Sequence, residues 1–123
     1  MVKAGKGKII NIASDVFKVA GAVALMHYAC SKSAVYTLTQ CLARALGPSG
    51  INVNSIAPGF TATEASLGQD GNDMAFRTTV DAQCLKRREE PDDLVGTAVF
   101  LASADSDFIT GQYIVVNGGS VLV

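Results

Sequence analysis

The run KIINIA, residues 8–13, decides how this chain folds, because it predicts a buried β-strand close to the N-terminus. The run is short, apolar and rich in β-branched isoleucine, and it follows a stretch that contains two glycines. Two further runs of this kind cover residues 51–57 and 112–116. Near-continuous apolar character is typical of strands that are buried on both faces, as the strands of parallel sheets are.

Two helices are predicted between these strands. Residues 28–46 place apolar side chains at steps of three and four, and we expect Gly47 to cap this helix and Pro48 to bar its continuation. Pro91 and the two aspartates after it predict the start of a second helix. Residues 60–84 show no firm period and are predicted to form a long loop of the kind used for lids or binding.

The order of the elements is strand, helix, strand, loop, helix, strand. This order predicts an α/β fold in which helices cross over between the strands of a parallel sheet. Three strands are few for a doubly wound domain, and two helices would cover only part of the sheet. We therefore expect the chain to be one half of a larger domain, with an open sheet edge that a partner must cover.

Composition excludes several classes of protein. The chain has 123 residues, of which 49% are hydrophobic and 17% are charged, so it is long and apolar enough for one globular domain. The net charge of −1 gives no reason to bind nucleic acid, and no apolar run reaches the length of a membrane span. The basic N-terminus is not a signal peptide, since only a short apolar patch follows it.

The three cysteines are an odd number and lack the spacing of metal ligands. They are interpreted as reduced thiols of a cytoplasmic protein, and Cys30 and Cys41 are predicted to be packed on the first helix. We expect no metal site. His27 is a tempting base beside Tyr28, but a single histidine in a loop is more often solvated.

Tyr28 and Lys32 are four residues apart at the start of the first helix, so they share one face of it. An ammonium near a phenol favours the phenolate and would lower the pKa of the tyrosine towards neutrality, where it can exchange protons. Ser14 follows the first strand and Pro58-Gly59 ends the second, and ligands of open α/β sheets bind at such carboxyl ends. A hydroxyl, a phenol and an ammonium together suit proton exchange with an alcohol or carbonyl oxygen.

At this point the chain resembles the short-chain dehydrogenases/reductases, although only the second half of a usual member. The matching stretches, in chain order, are GKIINIAS (7–14), Tyr28-x-x-x-Lys32, NVNSIAPG (52–59) with Thr63, and GQYIVVNGG (111–119). Each stretch is modest alone, but their order and spacing are specific. The resemblance implies the C-terminal half of a Rossmann-like doubly wound sheet, residues 1–123, and an NAD(P)-dependent oxidoreductase that interconverts a secondary alcohol and a ketone.

The resemblance also implies roles for individual residues. Ser14 would polarise the substrate oxygen, Tyr28 would act as acid and base, and Lys32 would lower the pKa of Tyr28 and hydrogen-bond the nicotinamide ribose. Tyr28 and Lys32 thus count among the cofactor-binding residues as well. The remaining cofactor contacts that it implies are the Pro58-Gly59 turn beside the nicotinamide, the backbone of Thr61 at the carboxamide, and the hydroxyl of Thr63.

Departures from the family pattern limit what can be inferred. The glycine-rich turn that binds the cofactor phosphates is absent from the residues given. The acidic or basic residue that selects NAD or NADP is expected in the same missing part, so this choice is not readable. Such members pair their long helix with its twin, so a homo-oligomer through residues 28–46 and the C-terminal strand is implied. The partners expected are a small alcohol or carbonyl substrate and a second copy, with neither nucleic acid nor membrane.

Other interpretations stay open beside the enzyme. The chain could be a non-catalytic fragment or an assembly module that buries its open edge against a partner. It could also be an α/β binding module of another family, if the motif order is a coincidence. The charged run at residues 86–90 is predicted to be a solvated face.

Overall fold

The computed structural model describes residues 1–19 and 23–122. Within these ranges the strands are β1 (Gly7–Ile12), β2 (Ile51–Pro58) and β3 (Tyr113–Val116). The α-helices there are α1 (Met26–Leu46), α2 (Glu64–Leu67), α3 (Asn72–Ala82) and α4 (Asp92–Ala102). The predicted α/β fold is therefore confirmed. The sequence also predicts a loop through Gly21 between the first strand and the first helix, and residues 20–22 of it lie outside the described residues.

The sheet is parallel throughout and has the order β1-β2-β3. β1 and β2 run in register from Gly7 opposite Ile51 to Ile12 opposite Ile56. β2 and β3 are in register as far as Pro58, which lies opposite Val116. Because all three strands are parallel, their carboxyl ends lie together. This line of strand ends is the carboxyl edge of the sheet, as distinct from the lateral edges formed by the outer strands.

Helices cover both faces of the sheet because successive strand residues point to opposite faces. α1 packs on one face, where Ala43, Ile51 and Val53 form a buried core. The other face carries Lys8 and Asn52, which lie opposite each other in register. Their side chains contact the segment that follows α4, through Ser106 and through the backbone oxygen of Asp107. α4 therefore covers the face opposite α1.

Gly47 is the C-cap of α1, as predicted, but without the left-handed backbone usual for a glycine cap. Gly47 has right-handed backbone angles, φ −54° and ψ −43°, so it continues the helical path into a short 3₁₀ turn over Gly47–Ser49. The left-handed residue is Gly50, with φ +71°, and an added Cβ there would overlap the backbone oxygen of Gly5. Proline fits the first turn of the 3₁₀ segment because that position needs no amide proton.

The prediction of a loop over residues 60–84 is wrong, because α2 and α3 lie inside it. α3 has a single fully buried side chain, Phe76, which is 1% exposed and stacks on Phe60 at a ring-centroid distance of 4.1 Å. One buried position in eleven residues leaves almost no apolar periodicity in the sequence, and periodicity is the signal that predicts helices.

The cysteine prediction is also wrong in part. Cys30 and Cys41 are on α1 as expected, but both are exposed, and Cys84 is exposed as well. Apolar residues recur at steps of three and four on the solvent side of α1 as well as on its buried side. Spacing alone therefore could not show which of the two stripes is buried. The exposed stripe holds Ala34, Leu38, Cys41 and Ala45.

Both lateral edges of the sheet are open among the described residues, since β1 and β3 each pair only with β2. At the β1 edge, Ile12 is 53% exposed. A parallel strand normally has covered faces and paired edges, so this edge is suited to a further strand.

Candidate active site

Three strand ends converge at the carboxyl edge of the sheet, and two of them carry predicted site residues. Ser14 follows β1, Gly59 follows β2 and Asn117 follows β3. The amide of Gly59 donates to the backbone oxygen of Val116 at 3.2 Å, which keeps the last two strands together beyond their final paired residues. The carboxyl edge of such a sheet is where ligands of open α/β folds bind.

Tyr28 and Lys32 lie in the first two turns of α1, above the end of β1. The Lys32 ammonium donates to the backbone oxygen of Ile12 at 3.0 Å and lies 5.6 Å from the centroid of the Tyr28 ring. This distance is within the range of a cation–π contact. Tyr28 is 38% exposed, so the residue stays accessible beside the ammonium. The structure thus brings these two predicted residues together.

Ser14 is buried and lies where β1 gives way to a 3₁₀ turn, Asp15–Lys18. Its hydroxyl oxygen accepts from the amide of Val16 at 3.3 Å, as a capping serine does. Its backbone oxygen accepts from the Tyr113 hydroxyl at 2.8 Å. Ser14 is therefore fixed at the strand end, and the segment that joins its turn to α1 includes residues 20–22, outside the described ranges.

Asp15 joins the ends of β1 and β3, a contact that the sequence did not indicate. Its Oδ2 accepts from the Asn117 amide at 2.9 Å and from the Ser120 hydroxyl at 3.2 Å, and Asp15 is only 7% exposed. Asp15 and Asn117 are 102 positions apart in the chain. Only the parallel pairing of the strands brings them together, so no local motif could have revealed the pair.

Tyr113 is a second residue that sequence reasoning did not single out. Burial, and then the Asp15 carboxylate and Tyr36, raise the pKa of Tyr113 to about 12. Its hydroxyl therefore stays protonated near neutral pH and serves as a donor to Ser14. The rings of Phe17, Tyr36 and Tyr113 pack together with centroids 5.3–5.5 Å apart, which anchors the Asp15–Lys18 turn to α1.

Glu89 holds the turn after β2. Because Glu89 is buried, the prediction that residues 86–90 form a solvated face is wrong. Its carboxylate accepts from the amide of Gly59 at 3.1 Å and from the hydroxyl of Thr61 at 2.8 Å. Glu89 is only 7% exposed. Burial raises its pKa above the ordinary value of 4.5, while the two hydrogen bonds oppose this rise. The sequence shows a charged run, but it does not show that one carboxylate turns inward.

The two arginines of the same run are also paired. Arg87 makes two contacts of 2.6 Å with Asp93, and Arg88 lies 3.1 Å from Asp73 and 4.7 Å from the Phe76 ring centroid. The Arg87 guanidinium, together with the Glu90 amide, lowers the pKa of Asp93 from 3.8 to about 2. These pairs connect the run to α3 and α4, so it is a junction between helices.

Asp93→Asn is expected to make the chain less stable at neutral pH. Because the pKa of Asp93 is lowered on folding, its carboxylate stabilises the fold above about pH 4, and this stabilisation is lost as the pH falls from 3.8 to about 2. Urea unfolding of wild type and variant at about pH 7, 4 and 3 should show a difference that shrinks with acid. Asp92→Asn, at the exposed neighbouring position, is the control. A difference that stays constant with pH would contradict the expectation.

Thr63 begins α2 and uses its hydroxyl locally. The oxygen accepts from the Ser66 amide at 3.2 Å, and the Ser66 hydroxyl accepts from the Thr63 amide at 2.8 Å. This reciprocal arrangement is a capping box. Thr63 is exposed, and its cofactor contact stays a prediction.

Two kinds of feature are absent from the described part of the chain. Over residues 1–19 and 23–122, no group of three or more histidine, cysteine, aspartate or glutamate side chains is placed to hold a metal ion. Over the same residues, no helix combines the length and apolar character needed to cross a membrane.

Comparison with known proteins identifies the family. A family model described as enoyl-(acyl carrier protein) reductase matches residues 1–121. The 2-dehydro-3-deoxy-D-gluconate 5-dehydrogenase of Bacillus subtilis is 40% identical over 97% of this chain, which is 46% of the relative. The chain therefore spans about half the length of the curated relatives that it matches.

Solved structures agree in fold as well as in sequence. A 3-oxoacyl-[acyl-carrier protein] reductase with bound NAD from Brucella melitensis has a TM-score of 0.85 and 34% identity, covering 100% of this chain and 44% of that one. A gluconate 5-dehydrogenase from Burkholderia cenocepacia, in complex with NADP and tartrate, has a TM-score of 0.81 and 33% identity, covering 97% and 46%. The motifs, the fold and these matches agree: the chain belongs to the short-chain dehydrogenase/reductase family.

Proposed function

We propose that this chain carries the catalytic residues of an NAD(P)-dependent oxidoreductase that interconverts a secondary alcohol and a ketone. The observation that supports this most is the placement of Lys32 between the Tyr28 ring and the oxygen of Ile12. It puts a fixed positive charge beside an accessible phenol at the carboxyl edge of the sheet. Such a charge stabilises the phenolate that proton transfer creates.

Tyr28 is the acid and base in this proposal. In the oxidative direction its phenolate takes the proton of the substrate hydroxyl, and in the reductive direction its hydroxyl gives that proton to the carbonyl oxygen. Ser14 donates its hydroxyl proton to the same substrate oxygen, and its oxygen can still accept from the Val16 amide because a hydroxyl both donates and accepts. The bound nicotinamide supplies or accepts the hydride at the carbinol carbon.

The residues present fit a nicotinamide nucleotide. An ammonium has three donors, and Lys32 uses one of them on Ile12 among the described residues, so others can reach ribose hydroxyls. Tyr28 would contact the same ribose, the Pro58-Gly59 turn would face the ring, and the Thr61 backbone would bind the carboxamide. Thr63, exposed at the start of α2, would be the outermost contact. The cofactor is NAD or NADP, as in the two structures above.

The test is oxidation of secondary alcohols by the purified protein with NAD⁺ or NADP⁺. Gluconates and 3-hydroxyacyl thioesters are the first candidates, because the similar proteins are named for gluconate and 3-oxoacyl substrates. Reduced nicotinamide should appear with at least one alcohol class, and substrate and cofactor should be consumed in equal amounts. A folded protein that turns over none of them would favour the non-catalytic alternative.

A role in assembly is supported by the exposed apolar stripe of α1. Leu38 at its centre is 51% exposed. Apolar side chains in a continuous stripe are typical of a buried interface. We propose that the chain forms a homo-oligomer through residues 28–46 and the C-terminal strand. The open edge of β1 further supports residues 1–123 being the catalytic half of a Rossmann-like domain.

Leu38→Lys is expected to weaken this association by at least about thirtyfold, because it puts an ammonium at the centre of a desolvated patch. Light scattering after size-exclusion chromatography should show the wild type above the monomer mass and the variant at it. Gln40→Lys adds the same charge to the same helix outside the stripe and is the control. A wild type that is monomeric, or a variant that keeps the oligomer, would exclude this interface.

The cysteines support a cytoplasmic location in this proposal. Cys30, Cys41 and Cys84 are all unbridged and exposed. Exposed free thiols persist in the reducing cytoplasm and are rare in secreted proteins.

A further inference from the structure

Glu89 contacts segment 58–62 at three points. Its Oε2 accepts from the Gly59 amide at 3.1 Å, and its Oε1 accepts from the Thr61 hydroxyl at 2.8 Å. Its backbone oxygen accepts from the Ala62 amide at 2.7 Å. Thr61 and Glu89 also form an isolated parallel bridge. One residue thus fixes the path of the chain over the whole turn that follows β2.

The fit around the carboxylate is close. A Cβ added to Gly59 would come within 2.8 Å of Oε2 of Glu89 and 2.9 Å of Cβ of Asn117. Only glycine lets the turn approach the carboxylate and the end of β3 at once. Burial disfavours the charge of Glu89 and raises its pKa. The carboxylate thus holds the turn at a cost in desolvation, which two donors partly offset.

The neighbouring glutamate provides a contrast. Glu90 is exposed, and what it contributes to the junction is its backbone amide, which donates to Asp93 at 2.8 Å. Two adjacent residues with the same side chain therefore differ in burial and contacts. The contacts of Glu89 with segment 58–62 are called the clamp below. A substitution of Glu90 is the matched control for a substitution of Glu89.

We infer that Glu89 is a positioning residue, which holds segment 58–62 in the shape that receives the nicotinamide end of the cofactor. This inference rests on the proposed function, since the same segment holds Pro58, Gly59 and Thr61 of the proposed cofactor site. Glu89 itself need not touch the cofactor, because it acts through the backbone of the turn. Truncating its side chain leaves Pro58, Gly59 and Thr61 in the chain but removes the two carboxylate contacts that hold the turn in shape.

Amide hydrogen exchange of the ¹⁵N-labelled chain tests the clamp without any cofactor. In Glu89→Ala the Gly59 amide, which loses its bond to Oε2 and keeps only the one to the Val116 oxygen, should exchange at least about tenfold faster than in the wild type. Ala62 donates to a backbone oxygen that alanine retains, so Ala62 and Val53 in the middle of β2 should stay protected. Glu89→Gln should stay within about threefold, because its amide oxygen can accept from Gly59 and its NH₂ can donate to Thr61. Glu90→Ala should match the wild type. Unchanged exchange of Gly59 in Glu89→Ala would overturn the inference.

Titration with NADH and NADPH supplies the second measurement. Glu89→Ala should bind the preferred cofactor about tenfold more weakly, and Glu89→Gln should restore the affinity to within about threefold. Faster exchange with unchanged affinity would overturn the positioning role. A folded wild type that binds neither cofactor would contradict the proposed function, and with it the role of Glu89 towards the cofactor, while the exchange data would still report the clamp.

Discussion

Replacing Tyr28 by phenylalanine is expected to lower kcat/KM by roughly 10²–10⁴-fold, the usual contribution of a general acid or base. The substitution removes only the hydroxyl, and the ring that packs under the Lys32 ammonium remains. Because Tyr28 is 38% exposed, the fold should be unaffected. Steady-state rates with the alcohol that the wild type oxidises fastest measure the effect.

Tyr36→Phe is the matched control. Tyr36 lies on the same helix, and its hydroxyl accepts an exposed hydrogen bond of 3.1 Å from Gln40. Its ring packs against Phe17 and Tyr113, and phenylalanine keeps that packing. We expect its kcat/KM to stay within about twofold of the wild type. A Tyr28→Phe variant as active as Tyr36→Phe would refute the assignment of Tyr28.

Phe76→Ala is expected to lower the free energy of unfolding by about 3–5 kcal/mol, as large-to-small changes of buried aromatics do. Phe76 is 1% exposed, is stacked on Phe60 and lies under the Arg88 guanidinium. Its loss would leave a cavity between α3 and the turn after β2. Urea unfolding followed by circular dichroism measures the change.

Phe108→Ala is the control for this substitution. It removes the same ring from a position that is fully exposed, so the free energy of unfolding should change by less than about 0.5 kcal/mol. If Phe76→Ala were as mild as Phe108→Ala, the Phe76 ring would not anchor α3 to the turn after β2. Such a result would favour a loosely held loop over residues 60–84.

The fold was predictable because its main signals are local. Each strand is a run of apolar residues, and the helix over 26–46 repeats apolar positions along its whole length. The order of these elements predicts a parallel sheet, and the structure confirms it. α3 was missed because Phe76 is its one buried residue, and a single position has no period.

The candidate site was predictable in one part and not in another. Tyr28 and Lys32 are one helical turn apart, so their proximity follows from spacing alone. Glu89 and Thr61 are 28 residues apart, and Asp15 and Asn117 are 102 apart. Such pairs depend on strand register and on the path of a turn, neither of which a single sequence reveals.

The central claim is that the carboxyl edge of this sheet receives a nicotinamide. The most direct test adds reduced nicotinamide mononucleotide, which lacks the adenylate half of the cofactor, to the ¹⁵N-labelled chain. Saturable shifts of the Gly59, Thr61 and Ala62 amides, together with those of Ser14 and Lys32, are the predicted result. Shifts confined to the opposite edge of the sheet, or none at saturating ligand, would contradict the account.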